Sequence, residues 1–515
     1  MKILLLVIYF GIMVGIGVYC RKHATDVNGF VLGGRSVGPW LTAFAYGTSY
    51  FSAVIFVGYA GQFGWKYGIA STWVGIGNAV IGSLLAWAIL GRRTRIMTQF
   101  YNSATMPQFF GQRFQSKGLK IGASLIVFIF LIPYTASLFN GLSRLFGMAF
   151  HIDYTVCIIL MGVFTGVYVI AGGYMATAIN DFIQGCVMLF GIVVIIAAVL
   201  HSQGGFMEAL RGLAQVSDPE AANGTVPGVF SSFFGPDPLN LLGVVILTSL
   251  GTWGLPQMVQ KFYAIKSEDS VQKGTIISTL FAVVVAGGCY FLGGFGRLFS
   301  DKVDVAGAGY DSIIPTMLSG LPEILIALTV VLVLSASMST LSSLVITSSS
   351  TLTIDLIKGN LVKDMDEQKT VFVIRCFIVV FVILSMVIAV IQYKAQGSAV
   401  QFIAQLMGVS WGALAGAFLA PFLYGLYWKK TTKASCWACY IFGAGIMLLN
   451  LVARSHFPTL LQSPINCGAF AMLAGFLIVP VVSVFTKKPD AAMVEEAFAC
   501  YERKAPVAQR RALSD

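Results

Sequence analysis

Gly251-Thr252-Trp253-Gly254-Leu255-Pro256-Gln257 interrupts an apolar run over 239–260, and Gly47-Thr48-Ser49-Tyr50-Phe51-Ser52 interrupts another over 38–60. Each run is long enough to cross a hydrocarbon core of ~30 Å. Glycine and proline loosen a helix. Backbone groups freed at that depth are tolerated only against protein or beside a cavity. Two such breaks at matching places in two halves of a chain mark the binding site of a secondary transporter. The alternative is a pair of ordinary glycine-rich packing helices.

The composition sets the surroundings. Of 515 residues, 57% are hydrophobic and only 11% charged, where soluble domains carry about 25% charged residues. The chain reads as an all-α integral membrane protein. Apolar stretches fall near 3–20, 38–60, 68–90, 119–146, 154–171, 178–200, 239–260, 274–298, 313–352, 370–391, 398–426, 435–453 and 465–485, thirteen in all. The broken stretches are the second and the seventh. Two inverted five-helix repeats, spans 2–6 and 7–11, produce that spacing of five. The 313–352 run is too long for one straight span and is expected to bend or to extend past the membrane.

An odd number of spans puts the termini on opposite sides, and the positive-inside rule assigns them. With the N-terminus outside, only Lys2, Lys66, Arg144, Arg211, Arg297, Lys302, Lys394 and Arg454 lie outside. The rest of the 33 Lys and Arg residues, Arg113 and Lys261 among them, fall in cytoplasmic segments. The N-terminus is therefore expected outside and the C-terminus in the cytoplasm of a plasma-membrane, multi-pass protein. The net charge of +11 becomes a topology signal and no sign of nucleic-acid binding. The first stretch lacks a small-residue cleavage site and should remain as a span. The outside loop near 201–238 carries Pro219, Pro227, Pro236 and Pro238 and is expected to be irregular, and the tail near Ala491–Glu502 helical.

Residues 335–350 read SASMSTLSSLVITSSS, ten hydroxyl residues in sixteen. Ser335, Ser339, Ser342 and Ser343 stand at i, i+4, i+7 and i+8, one face of a helix. Polar groups at membrane depth face a bundle interior or a water-filled path. Neutral oxygens without charge suit a small hard cation that must bind and then leave, although small hydroxyl residues also line tight helix interfaces. Asp181, at the start of the sixth span, has two readings as well. It is a membrane-embedded functional carboxylate or a helix N-cap.

Other chemistries lack their parts. GxxxxGK[ST] and GxSxG are absent, the four histidines do not pair at metal-ligand spacing, and the nine cysteines give no disulfide framework. The pattern is that of a carrier driven by an ion gradient, not of an enzyme.

Four stretches carry a resemblance: Leu32-Gly33-Gly34-Arg35-Ser36-Val37-Gly38; Ala171-Gly172-Gly173 through Asp181 and Gln184; Pro256 through Phe262; and Ser337-Met338-Ser339-Thr340-Leu341-Ser342. From about Phe30 to Phe485 the chain resembles the sodium:solute symporters, which include carriers of proline, pantothenate, glucose and monocarboxylates. The resemblance implies the LeuT-type fold of two inverted five-helix repeats, here about thirteen helices. Its divisions are a leading helix and link (1–29), a first repeat (30–232), a second repeat (233–428), two further helices (429–487) and a tail (488–515). It also implies a sodium ion held by the carbonyls of Thr48, Phe51 and Ala336 and the hydroxyls of Ser339 and Thr340. Asp181 matches a family carboxylate that supports sodium binding or release, as a second sodium site or a release site.

Substrate identity is less directly written. The proline carriers place an Asp where this chain has Tyr50, and aromatics where it has Thr248 and Thr252, while Tyr134 and Pro256 match their pocket. The segment Thr48 to Val54 lies nearer the pantothenate and monocarboxylate branch. A small carboxylate-bearing organic solute, imported with Na+, is the expected cargo, and Tyr50, Ser52, Tyr134, Trp253, Pro256 and Gln257 are the expected lining. Rival readings are a membrane sensor on the same fold without net transport, a proton-coupled carrier and a sugar-type symporter. Ser339 and Thr340 do not titrate near neutrality, which favours sodium over protons.

Overall fold

Within hydrocarbon the backbone must bond with itself, and the chain answers with helices. The structure, a computed structural model, describes residues 2–150, 153–303, 305, 309–358, 361–362, 365–394 and 403–502. The principal helices are α1 (Lys2–Tyr19), α2 (Pro39–Tyr50), α3 (Val54–Phe100), α4 (Lys117–Phe150), α5 (Tyr154–Ser202), α6 (Pro238–Gly254), α7 (Pro256–Ala264), α8 (Glu268–Gly293), α9 (Glu323–Ile357), α10 (Glu367–Lys394), α11 (Ile403–Tyr427), α12 (Lys433–Ala453) and α13 (Pro464–Phe485). Among the described residues nine helices are long and apolar enough to cross a membrane, ten if the bent pair α6 and α7 is one span.

Both sequence breaks are present. α2 ends at Tyr50, and Phe51 is extended at φ −81°, ψ 118°. α6 ends at Gly254, and Leu255 is extended at φ −82°, ψ 121°. The two breaks share one backbone conformation, and α7 departs from α6 by 45°.

α3 runs 47 residues and the apolar part of α5 48. A helix of that length is about 72 Å long, more than twice the membrane core. Each turns at a glycine: Gly68 at φ 63°, ψ −143°, and Gly173 at φ 56°, ψ −146°. Only glycine adopts such angles without strain. Any Cβ there would also strike backbone, the Phe230 carbonyl at Gly68 and the Phe30 oxygen, 2.8 Å away, at Gly173. The ninth apolar stretch is divided too. A short helix Ile313–Ser319 is parted from α9 by Gly320-Leu321-Pro322.

The loop near 201–238 is not wholly irregular, since it holds the helix Phe206–Gln215. It is pinned by Asp218, whose carboxylate meets Arg297 at 2.9 Å. The tail forms the helix Ala491–Ala499; residues 503–515 lie outside the described part. Two groups of helices result: α2, α3, α6, α7 and α8 pack on one another, as do α4, α5, α9 and α10. α2 meets α5 and α9 where the groups join.

Candidate cation and solute site

The hydroxyl stripe of α9 lies against the broken end of α2. Thr340 Oγ1 stands 3.1 Å from the Thr48 carbonyl oxygen, 3.4 Å from that of Phe51 and 3.1 Å from that of Ala336. Ser339 Oγ is 3.2 Å from the Thr48 oxygen and 3.1 Å from that of Ala336. All five residues are buried. The break makes this possible, because the extended backbone at Phe51 turns carbonyls away from the helix ladder. Each hydroxyl has one proton to donate, so two protons serve three carbonyls. The group is a cluster of neutral oxygens, the type of ligand that suits a small hard cation.

Of the expected solute lining, Tyr50, Ser52 and Tyr134 come together. The Tyr50 ring lies 5.8 Å from that of Trp411, and the Tyr134 ring meets the same indole edge-on at 6.0 Å. The Tyr134 hydroxyl faces Ser52 and Trp411 and closes a hydrogen bond to neither. The Tyr50 hydroxyl, the Ser52 hydroxyl and the Trp411 indole N–H are likewise buried and unpaired. Pro256 opens α7, and both polar atoms of Gln257 are buried without a partner at this helix start. A buried polar group without a hydrogen bond is costly, so this cluster is the candidate place for a polar ligand. Trp253 behaves differently. Its indole N–H donates to the Ile81 carbonyl at 2.9 Å, and it makes none of the ring contacts that join Tyr50, Trp411 and Tyr134 among the described residues. A narrow crevice lined by Tyr46, Tyr50, Phe51, Asn78, Thr252 and Phe281 adjoins the break.

The capping reading of Asp181 does not hold. The turn is at Gly173, so Asp181 sits two helical turns inside the second arm of α5. It is fully buried and faces Lys261 of α7, Oδ2 to Nζ 3.9 Å, with side-chain exposures of 0% and 2%. Sequence reasoning missed Lys261, Trp411 and Asn78. A lysine in the last turn of a broken apolar run was the one available signal for Lys261.

Known proteins resemble the chain in sequence and in fold. The chain is 29% identical over 500 residues to a sodium/proline symporter of Staphylococcus aureus, a match covering 95% of this chain and 93% of the relative. Its fold matches a Na+-coupled sialic acid symporter solved substrate-bound and outward-open, with TM-score 0.72 at 17% identity, covering 95% of this chain and 98% of the other. A nucleobase-cation-symport-1 family transporter in a closed conformation matches with TM-score 0.51 at 15% identity, covering 91% of this chain and 97% of the other. Residues 30–443 fit the sequence profile of the sodium:solute symporter family. By that match over more than half of its length, the chain belongs to the sodium:solute symporter family.

Proposed function

We propose that this sodium-coupled symporter imports a small carboxylate-bearing solute, an amino or imino acid or a monocarboxylate, across the plasma membrane. Sodium is held by the carbonyls of Thr48, Phe51 and Ala336 and the hydroxyls of Ser339 and Thr340. The oxygen cluster carries this reading, because it spans the two helix groups. An ion there draws α2 toward α9 and fixes the break at Phe51. The solute then sits beside that break. The rings of Tyr50, Tyr134 and Trp411 cover its apolar body. The N-terminal end of α7 and the unpaired Gln257 amide receive its carboxylate, since the start of a helix favours negative charge. Ser52 and the Tyr134 hydroxyl supply further hydrogen bonds. The relatives named for proline make proline the first solute to try.

The two repeats are 30–232 and 233–428, with the shared backbone of Phe51 and Leu255 as their matching point. Each arm of α3 and α5 counts as a separate span, α2 joins the first arm of α3, and α6 and α7 form one. The total is thirteen, with the N-terminus outside and the C-terminus cytoplasmic. Uptake of a labelled panel of amino acids and monocarboxylates into proteoliposomes, with and without a sodium gradient, tests the function. Loss of sodium dependence in Ser339→Ala and Thr340→Ala tests the site, and wild-type behaviour in both variants refutes it.

A further inference from the structure

Asp181 and Lys261 are opposite charges buried in the membrane interior, on α5 and α7, and neither is explained by the sodium or solute site. Both carboxylate oxygens of Asp181 lack a hydrogen bond, so the lysine is its charge partner at 3.9 Å. The ammonium donates to Ser343 Oγ at 3.0 Å and lies 5.0 Å over the Tyr174 ring. Ser343 shares a hydrogen bond of 2.8 Å with Ser49, and Ser49 is the neighbour of the sodium ligand Thr48. The ammonium thus stands among a carboxylate, a stripe hydroxyl and an aromatic face. That is the set of groups a sodium ion would use.

We infer that the Lys261 ammonium is a resident cation: it fills, beside Asp181 and Ser343, the place a second sodium would take, so that the protein binds one sodium. Charge makes the two occupants exclusive. A sodium brought to about 4 Å from the ammonium would be repelled strongly enough to weaken its binding on the order of a thousandfold at an effective dielectric near 20. Asp181 in turn is not a ligand of the transported ion. It anchors the ammonium, and the pair ties the second half of the broken seventh span to α5 and, through Ser343 and Ser49, to the cation site. Lys261 is a positioning residue that sets stoichiometry. The inference rests on the sodium site proposed above.

The test counts labelled sodium bound at saturation by purified full-length protein, with sodium as the sole probe. Wild type and Lys261→Arg should each bind one ion per chain. Lys261→Met empties the place and leaves the carboxylate, so it should bind two. The double variant Lys261→Met, Asp181→Asn removes both charges and should return to one; Lys261→Gln, which also lacks the ammonium and keeps Asp181, should bind two and replaces Lys261→Met if that variant does not fold. Asp181→Asn alone should still bind one. Two ions in wild type that fall to one in Asp181→Asn would overturn the inference, as would a folded Lys261→Met that binds one. No bound sodium in wild type would instead sink the primary site.

Discussion

Replacing Thr340 with valine separates the oxygen from the volume. Valine has nearly the shape of threonine and lacks only the hydroxyl, so the fully buried α9 face stays filled. The oxygen removed is the one that touches both sides of the break, at Thr48 and Phe51, as well as Ala336. Ser339 reaches only Thr48 and Ala336. A hydrogen bond to a charged group is worth about 1.5–3 kcal/mol, and a buried oxygen–cation contact is taken as similar. Each 1.4 kcal/mol is tenfold, so the sodium concentration for half-maximal binding should rise roughly ten- to a hundredfold. Thr340→Ser keeps the oxygen and should stay near wild type. The assay is saturation binding of labelled sodium to the purified protein without solute, with thermal unfolding in detergent to show that the valine variant is folded. A folded Thr340→Val with wild-type sodium affinity would refute the assignment, whatever its uptake.

Tyr134→Phe removes a buried hydroxyl that has no hydrogen bond in the structure, so it should leave or slightly raise thermal stability while increasing the solute concentration for half-maximal uptake several-fold; unchanged uptake kinetics would take Tyr134 out of the pocket. Gly173→Ala places a Cβ 2.8 Å from the Phe30 oxygen at a positive φ and should destabilise by about 1–3 kcal/mol, seen as a lower unfolding temperature. At Asp218, burial opposes ionisation, but the N–H groups of Glu220 and Ala221 and the Arg297 guanidinium outweigh it and hold the carboxyl below its ordinary value. A carboxyl lowered in the folded state stabilises above its unfolded pKa, and that stability is lost as pH falls through the lower folded value. Wild type should therefore lose more unfolding temperature than Asp218→Asn on going from neutral pH to below pH 4, and parallel losses would contradict the pairing.

The features read most easily from sequence were local. A glycine–proline interruption and a hydroxyl spacing of i, i+3 and i+4 are written within one helix, so the breaks at Phe51 and Leu255 and the stripe on α9 were legible before any packing was known. The ligand set needed the family resemblance, because nothing in Thr48 itself says that its carbonyl faces Thr340, 292 positions away. Trp411 was missed for the same reason: its meaning comes from the meeting of α11 with Tyr50 and Tyr134. Lys261 entered the sequence reading only as one charge among the cytoplasmic segments; its 2% exposure was not legible, since a hydropathy pattern does not show which polar group turns inward. Arg113 behaves alike, buried and donating to the Gly425 carbonyl at 3.0 Å. Trp253 shows the converse. Its place beside the break suggested the solute, and its N–H is already used by Ile81.

Everything proposed for this protein rests on a sodium gradient driving a small carboxylate-bearing solute through it. Proteoliposomes containing the purified chain, given labelled proline and a panel of amino acids and monocarboxylates, measure it directly. At least one member should accumulate above its outside concentration when sodium is high outside. A sodium ionophore should abolish the accumulation, and a proton gradient alone should not replace it. Accumulation driven by protons without sodium, or no movement of any carboxylate while another class of solute is carried, would contradict it.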